Sequence, residues 1–432
     1  MTPDSTLDDG GRTCCGPAAG GLTRRSMLTG ALAVGALAGL GGLPGLGTTG
    51  LAFAETPYTG DTLVVLSLRG GFDGLSAVVP AFDPGYAAAR PGIGVPANNL
   101  VRLDGRFGLH PALAPLAPLW TSGKLAVVHA VGQSDPTRSH FEAMAQLERA
   151  APGTSTRTGW LDRTLGVTGP GSPFAAAQIG QVMAGQAFAG PNPELTMNNV
   201  DDFSLYSAWD DAESRRWATA LGALQADAVP VTAAPARTAL SALATAATLK
   251  AAGYTPANGA AYPDSDLGNA LRDVAQLVKA NVGLRLAAVD SGDWDMHVDL
   301  GGFNDEYGWM RRKLDELARS LAAFATDLGA AFGNVTVVTL SEFGRRVEEN
   351  GSGGVDHGHG NAVMLLGGGV VGGKVYGTWP GLGEADLVDG DLAGTTDYRT
   401  VLAEILEKRC AVATGTVFPG LAAGRLGALR SR

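Results

Sequence analysis

Five short apolar runs punctuate the chain, and each is flanked by glycine or by a polar cluster. They are Asp61–Leu68 (DTLVVLSL), Leu125–Val131 (LAVVHAV), Leu284–Val289 (LRLAAV), Val335–Leu340 (VTVVTL) and Ala362–Leu366 (AVMLL). The runs are nearly continuous in Val, Leu and Ala, the pattern of strands buried on both faces. Helical spacing fills the intervals. Ser139–Arg149 reads as a helix with Ser139 at its N-cap, His110–Trp120 as a short one, and Leu267–Lys279 as another. Glu306–Ala331 puts Leu314, Leu317, Leu321 and Phe324 on one face, and Thr396-Asp397 caps a last helix to about Lys408. Strand, helix, strand predicts an α/β fold, a mostly parallel sheet covered by helices on both faces. In such sheets the site lies beyond the carboxyl ends of the strands. Residues 150–265 carry Asn192, Asn198 and an Ala-rich stretch from Ala233 to Ala260. They predict a helical or irregular insertion or cap region within one domain, 55–432.

The first 54 residues read as a twin-arginine signal peptide. Arg24 and Arg25 precede an apolar run from Ala31 to Leu51, and Ala52-Phe53-Ala54 predicts cleavage after Ala54. An uncleaved anchor is the alternative, weakened by the many glycines and Pro44. The expected partner is the twin-arginine translocation machinery, and the expected location is secreted, periplasmic or cell-wall associated, with no stable membrane span in the mature chain. The net charge is −10, and residues 1–54 hold three acidic and three basic side chains, so the mature chain keeps it. That charge argues against nucleic-acid partners. Cys410 is the one cysteine beyond this segment, so stability rests on a core rather than a disulfide.

Chemistry-bearing residues gather where the strands end. Asp73 follows the first run, Asp295 and His297 follow the third, and Glu342 follows the fourth. GVDHGHGN, Gly354–Asn361, then brings His357 and His359, two of six histidines in the chain. Carboxylates and imidazoles converging at one sheet edge predict a divalent metal site, with zinc first and manganese or calcium conceivable. One or two ions fit, and two ions about 4 Å apart would suit an in-line displacement at phosphorus. Each residue also has a structural alternative. Asp73 fits a turn, Glu342 a salt bridge with Arg345 or Arg346, and His357 and His359 a solvated loop. His129 fits the core and His110 a helix cap. Ser139 is a candidate nucleophile at a helix N-terminus, where backbone N–H groups favour an anion, or simply an N-cap. His140, Arg345 and Asp356 border these clusters as candidate substrate contacts. No P-loop and no G-x-S-x-G elbow is present.

Taken in order, RGGFDGLSAVVP, LHPALAPLAPLW, LAVVHAVG, SHFEAM, WDMHVD, VTVVTLSEFGRR, DHGHGN and GTTDYR resemble the DUF1501 family from Asp61 to the C-terminus. That family is grouped with the alkaline phosphatase-like, or sulfatase-like, superfamily. The resemblance implies a metal role for Asp73, for the Asp295 and His297 pair, for Glu342 in place of the Asp of an Asp-His step, and for His357 with His359 as substitute. It implies the nucleophile position for Ser139. Two features depart from the superfamily: the His of the Asp-His step is Phe343, and the Asp/His pair is spaced by one residue. The resulting expectation is an exported metal-dependent hydrolase of a phosphate or sulfate ester, acting on a small-molecule or glycan ester. The alternative is a non-catalytic metal- or glycan-binding protein of the cell surface.

Overall fold

The computed structural model describes residues 58–169, 171–181, 183–205, 210–226, 229–422 and 424–432. The expected signal peptide, with Arg24, Arg25 and the cleavage point after Ala54, lies outside the described residues.

A nine-stranded sheet organises the chain. Its strands are β1 (Thr62–Leu68), β2 (Leu125–Gly132), β3 (Ala176–Ile179), β4 (Leu195–Met197), β5 (Leu286–Ser291), β6 (Val335–Leu340), β7 (Asn361–Gly367), β8 (Val375–Tyr376) and β9 (Thr396–Asp397). The order is β8-β2-β7-β6-β1-β5-β3-β4, and β9 also pairs with β2. β1 is central and parallel to both neighbours, with Val65 opposite Ala288 and Val338. Only β7 runs antiparallel, against both β6 and β2, and its register with β2 slips between Asn361 and Val363.

The alternation along β1 explains the two-sided cover. Val64, Leu66 and Leu68 join one core with Leu271 and Val274 of α5 (Asp266–Lys279) and Leu314, Leu317, Leu321 and Phe324 of α6 (Trp309–Leu328). Leu63 and Val65 join the other. There they meet Leu147 of α1 (His140–Arg149), Leu161 and Leu165 of α2 (Trp160–Thr168), and Val401, Leu402 and Ile405 of α7 (Tyr398–Arg409). Each face is therefore dry, as a parallel sheet with continuous apolar strands requires.

The interval 150–265 contributes more than a cap. It holds α2, α3 (Asp211–Ala226) and α4 (Pro230–Ala252), but also β3 and β4, which extend the central sheet beside β5. AAQI and LTM are too short and too poor in β-branched residues to read as strands alone. His110–Trp120 is a 3-10 segment, Pro111–Leu116, followed by a short helix, Ala117–Thr121. The His110 imidazole caps it by accepting the Ala112 N–H, and His129 is buried inside β2.

Beyond β1 the chain turns sharply at Gly70 (φ +118) and Gly71 (φ +76). A Cβ on Gly70 would stand 2.6 Å from the Asp295 N, and one on Gly71 2.5 Å from the Phe343 ring. The absence of side chains here lets three strand-end loops meet.

Candidate metal centre

Three imidazoles converge on one carboxylate at the carboxyl edge of the sheet. His140 opens α1, Asp295 and His297 lie on the loop after β5, and His357 lies on the loop before β7. The His357 Nε2 is 3.0 Å from Asp295 Oδ1, the His297 Nε2 is also 3.0 Å from it, and the His140 Nε2 is 3.4 Å from Asp295 Oδ2. His140, Asp295 and His357 each present a donor atom, and these lie within 4.8 Å of one another.

The opposite nitrogen of every ring is held from behind. His140 Nδ1 is 2.9 Å from Glu342 Oε1, His297 Nδ1 is 2.8 Å from Asp356 Oδ1, and His357 Nδ1 is 2.8 Å from the Arg138 carbonyl. Carboxylates and carbonyls only accept, so each Nδ1 donates. In neutral rings that leaves three Nε2 lone pairs turned toward Asp295. Metal-ligating histidines carry this outer hydrogen bond as a rule, because it fixes tautomer and ring angle.

The imidazole lone pairs lack a donor or a cation between them. The Nε2 atoms of His297 and His357 stand 2.9 Å apart, an acceptor facing an acceptor. One proton between them would settle that pair but not His140, whose Nε2 is buried and makes no hydrogen bond. A divalent cation satisfies all of them, so these residues fit a metal ion. Asp295 is suited to the role because it stays ionised. Burial alone would raise its pKa, but the hydrogen bond and charge of Arg345 hold it well below the usual carboxylate range. Its side chain is 46% exposed, so the centre opens to solvent.

Glu342 stands one layer behind. It is buried, accepts the Gly70 N–H at 2.8 Å and the Ser341 hydroxyl at 3.1 Å, and holds His140. Asp356 does the same for His297, with Asn350 bonded to it at 3.1 Å. Glu342 and Asp356 thus each hold one imidazole of the candidate centre from behind.

Other expected residues are elsewhere engaged. Asp73 is buried and forms a two-pronged pair with Arg90, at 2.6 and 3.0 Å, so both its oxygens are taken. Its carboxyl is held below its ordinary pKa: desolvation opposes this, and the Arg90 charge and hydrogen bonds overcome it. Asp73, expected as a metal ligand, is engaged with Arg90 and lies outside the candidate cluster of His140, Asp295 and His357. His359, the other expected ligand of this loop, lies outside that cluster, with its Nε2 3.0 Å from the Gln133 carbonyl. Arg345 is buried and spent on protein oxygens. It bonds Gly71 O at 2.6 Å, Val355 O and Trp294 O at 3.0 Å, Asp295 Oδ1 at 2.7 Å, and also Gly70 O. It ties the three loops together and presents no free edge to a substrate. Ser139 is exposed, occupies the N-cap position of α1 and makes no side-chain cap bond.

His140, expected as a substrate contact, falls in the candidate metal cluster with Asp295 and His357. Its signal was its position directly after the N-cap, at the strand-end edge. Phe343, in place of an expected histidine, packs its ring 4.9 Å from that of His140 and 4.6 Å from that of His357. An apolar platform thus stands against two rings of the cluster, and one such cluster occurs among the described residues.

Residues 61–406 match the family described as protein of unknown function (DUF1501), and the chain belongs to that family. No curated protein matches it in sequence. Three solved structures show low overall similarity. The lipoteichoic acid synthase LtaP from Listeria monocytogenes is 10% identical with a TM-score of 0.31, covering 71% of this chain and 65% of that one. This chain therefore spans less than two thirds of that relative. The phosphonate monoester hydrolase of Agrobacterium radiobacter is 8% identical with a TM-score of 0.34, covering 84% and 78%. The C-terminal periplasmic domain of EcEptC from Escherichia coli, in complex with Zn, is 13% identical with a TM-score of 0.30, covering 76% and 77%.

Proposed function

We propose that this chain is a metal-dependent hydrolase of a phosphate or sulfate ester, with one divalent ion, zinc first, held by His140, Asp295 and His357. The observation that carries this is the buried, unpartnered Nε2 of His140 facing a carboxylate that two other imidazoles also approach. His297 is the next candidate ligand. Bound there, a divalent ion supplies Lewis-acid polarisation of an ester oxygen and charge to stabilise the transition state. The protein supplies fixed geometry. Glu342, Asp356 and the Arg138 carbonyl orient the rings, and Arg345 fixes Asp295. Ser139 is the proposed nucleophile, because residues on both sides of it touch the centre: the Arg138 carbonyl through His357, and the His140 side chain. Its Oγ bonds to phosphorus or sulfur as the ester oxygen leaves, and its proton passes through solvent to the departing alkoxide. Water then cleaves the seryl ester, so one water is consumed in all.

Residues 1–54 are proposed as a twin-arginine signal, on the strength of Arg24, Arg25 and the Ala52-Phe53-Ala54 site. Among the described residues no helix is long and apolar enough to cross a membrane. A non-catalytic metal- or glycan-binding role is the second reading, favoured by the Phe343 platform.

The test is turnover of aryl phosphate, phosphodiester and sulfate esters by the mature chain, stripped of metal and reloaded with zinc, manganese or calcium. Hydrolysis restored by one metal and lost in Asp295→Asn and Ser139→Ala supports the hydrolase. A metal-replete protein that turns over none of these esters refutes it and leaves the binding role.

A further inference from the structure

Two arginines adjoin the centre's residues in the chain without belonging to the cluster. Arg138 directly precedes Ser139 and His140. Its Nη2 reaches Asp391 Oδ2 at 2.6 Å and the Asp389 carbonyl at 3.4 Å. Arg346 directly follows Arg345, and its N–H donates to the Asp356 carbonyl at 2.9 Å. Its Nη2 donates to the Asp389 carbonyl at 2.9 Å, and its Nε is 3.9 Å from Asp391 Oδ1. The Arg346 charge is felt at the Asp356 carboxylate.

The burial is lopsided. The Asp391 side chain is 5% exposed, whereas those of Arg138 and Arg346 are 43% and 39% exposed. The buried Asp391 carboxylate hydrogen-bonds Arg138 and stands 3.9 Å from Arg346, and both partly exposed guanidinium groups donate to the Asp389 carbonyl. Guanidinium forks match tetrahedral oxyanions, and fixing them beforehand lowers the ordering cost of binding. Arg345, the arginine expected to meet substrate, is spent on protein oxygens, and its neighbour Arg346 has the open edge.

We infer that Arg138 and Arg346 bind the tetrahedral oxyanion of the substrate, phosphate or sulfate, with Asp391 as the positioning residue that holds them together. This deepens the proposed hydrolase and rests on it for the nature of the substrate, but the anion binding itself is separately measurable.

The experiment is isothermal titration of inorganic phosphate and of inorganic sulfate into the mature chain, metal-stripped and zinc-loaded. The wild type binds an anion in the stripped state. Arg138→Ala and Arg346→Ala each weaken binding roughly tenfold or more, the loss of a charged hydrogen-bonding partner. Arg138→Lys and Arg346→Lys recover part of it, and they serve if an alanine variant fails to fold. Anion binding that is absent in the wild type, or confined to the zinc-loaded form and unchanged in the arginine variants, overturns the inference. Arginine-dependent binding in a protein that hydrolyses no ester upholds it and sinks the hydrolase instead.

Discussion

The Nδ1 of His140 lies 2.9 Å from Oε1 of Glu342, although 202 positions separate them. The loop after β6 thus sets the angle of a ring at the start of α1. Glu342→Gln keeps the shape but replaces one acceptor oxygen with an amide or a weaker acceptor. Metal affinity is expected to fall about 10- to 100-fold, as for other outer partners of ligand histidines. Competition with a chromophoric chelator measures this, and unchanged circular dichroism checks that the fold survives.

Asp73 and Arg90 give a prediction of opposite kind. The Arg90 side chain is fully buried, so Asp73→Ala leaves a charge without its partner and is expected to cost about 3–5 kcal/mol of stability. Metal content per folded molecule is expected to stay unchanged. Because the folded pKa of Asp73 is depressed, its contribution is present above the unfolded carboxylate range. It is lost as pH falls through the lower folded value. Urea titrations with metal analysis of the folded fraction separate this from a ligand role.

Acid sensitivity is expected at higher pH from two core histidines. Burial pushes His110 and His129 down to about 4. The unfolded chain takes up their protons below about 6.5 while the folded chain does not, so stability is full above that pH and declines toward 4. Each group contributes a slope of up to about 1.4 kcal/mol per pH unit in that window. His110→Asn keeps a side chain able to cap the Ala112 N–H and removes one titration. The melting temperature of the chelator-treated variant is expected to fall less between pH 7 and pH 4 than that of wild type.

Phe343 supports two ligand rings through packing alone. Phe343→Ala is expected to destabilise the protein by about 3–5 kcal/mol, the usual cost of emptying a buried aromatic site. It is also expected to weaken metal binding while removing no ligand. Denaturant midpoints and metal affinity, measured on the same preparations, check both effects.

Much of the architecture is legible in the chain because buried parallel strands cannot hide. DTLVVLSL and VTVVTL announce themselves by continuous apolar character, and β6 runs Val335–Leu340 as its pattern predicts. β3 and β4 were not legible, since AAQI and LTM gain their strand character from pairing beside β5. In the site, Asp295 and His357 were legible as strand-end candidates, and they fall in one cluster. The role of His140 was not, because it depends on the distant Glu342. Asp73 misled for a related reason: Arg90, which occupies its carboxylate, follows it by 17 positions without any local pattern. Sequence shows which groups reach the edge of a sheet. Which of them are already satisfied by buried partners is decided by tertiary packing.

The central claim is that His140, Asp295 and His357 hold one metal ion. The most direct test is elemental analysis of the mature chain, purified without chelators or nickel, beside His140→Ala, His357→Ala and His359→Ala. The expected result is near-stoichiometric metal, zinc first, in the wild type and in His359→Ala, with loss in the other two. No metal in any of them after reloading with zinc, manganese and calcium would contradict the account, as would equal metal in all four.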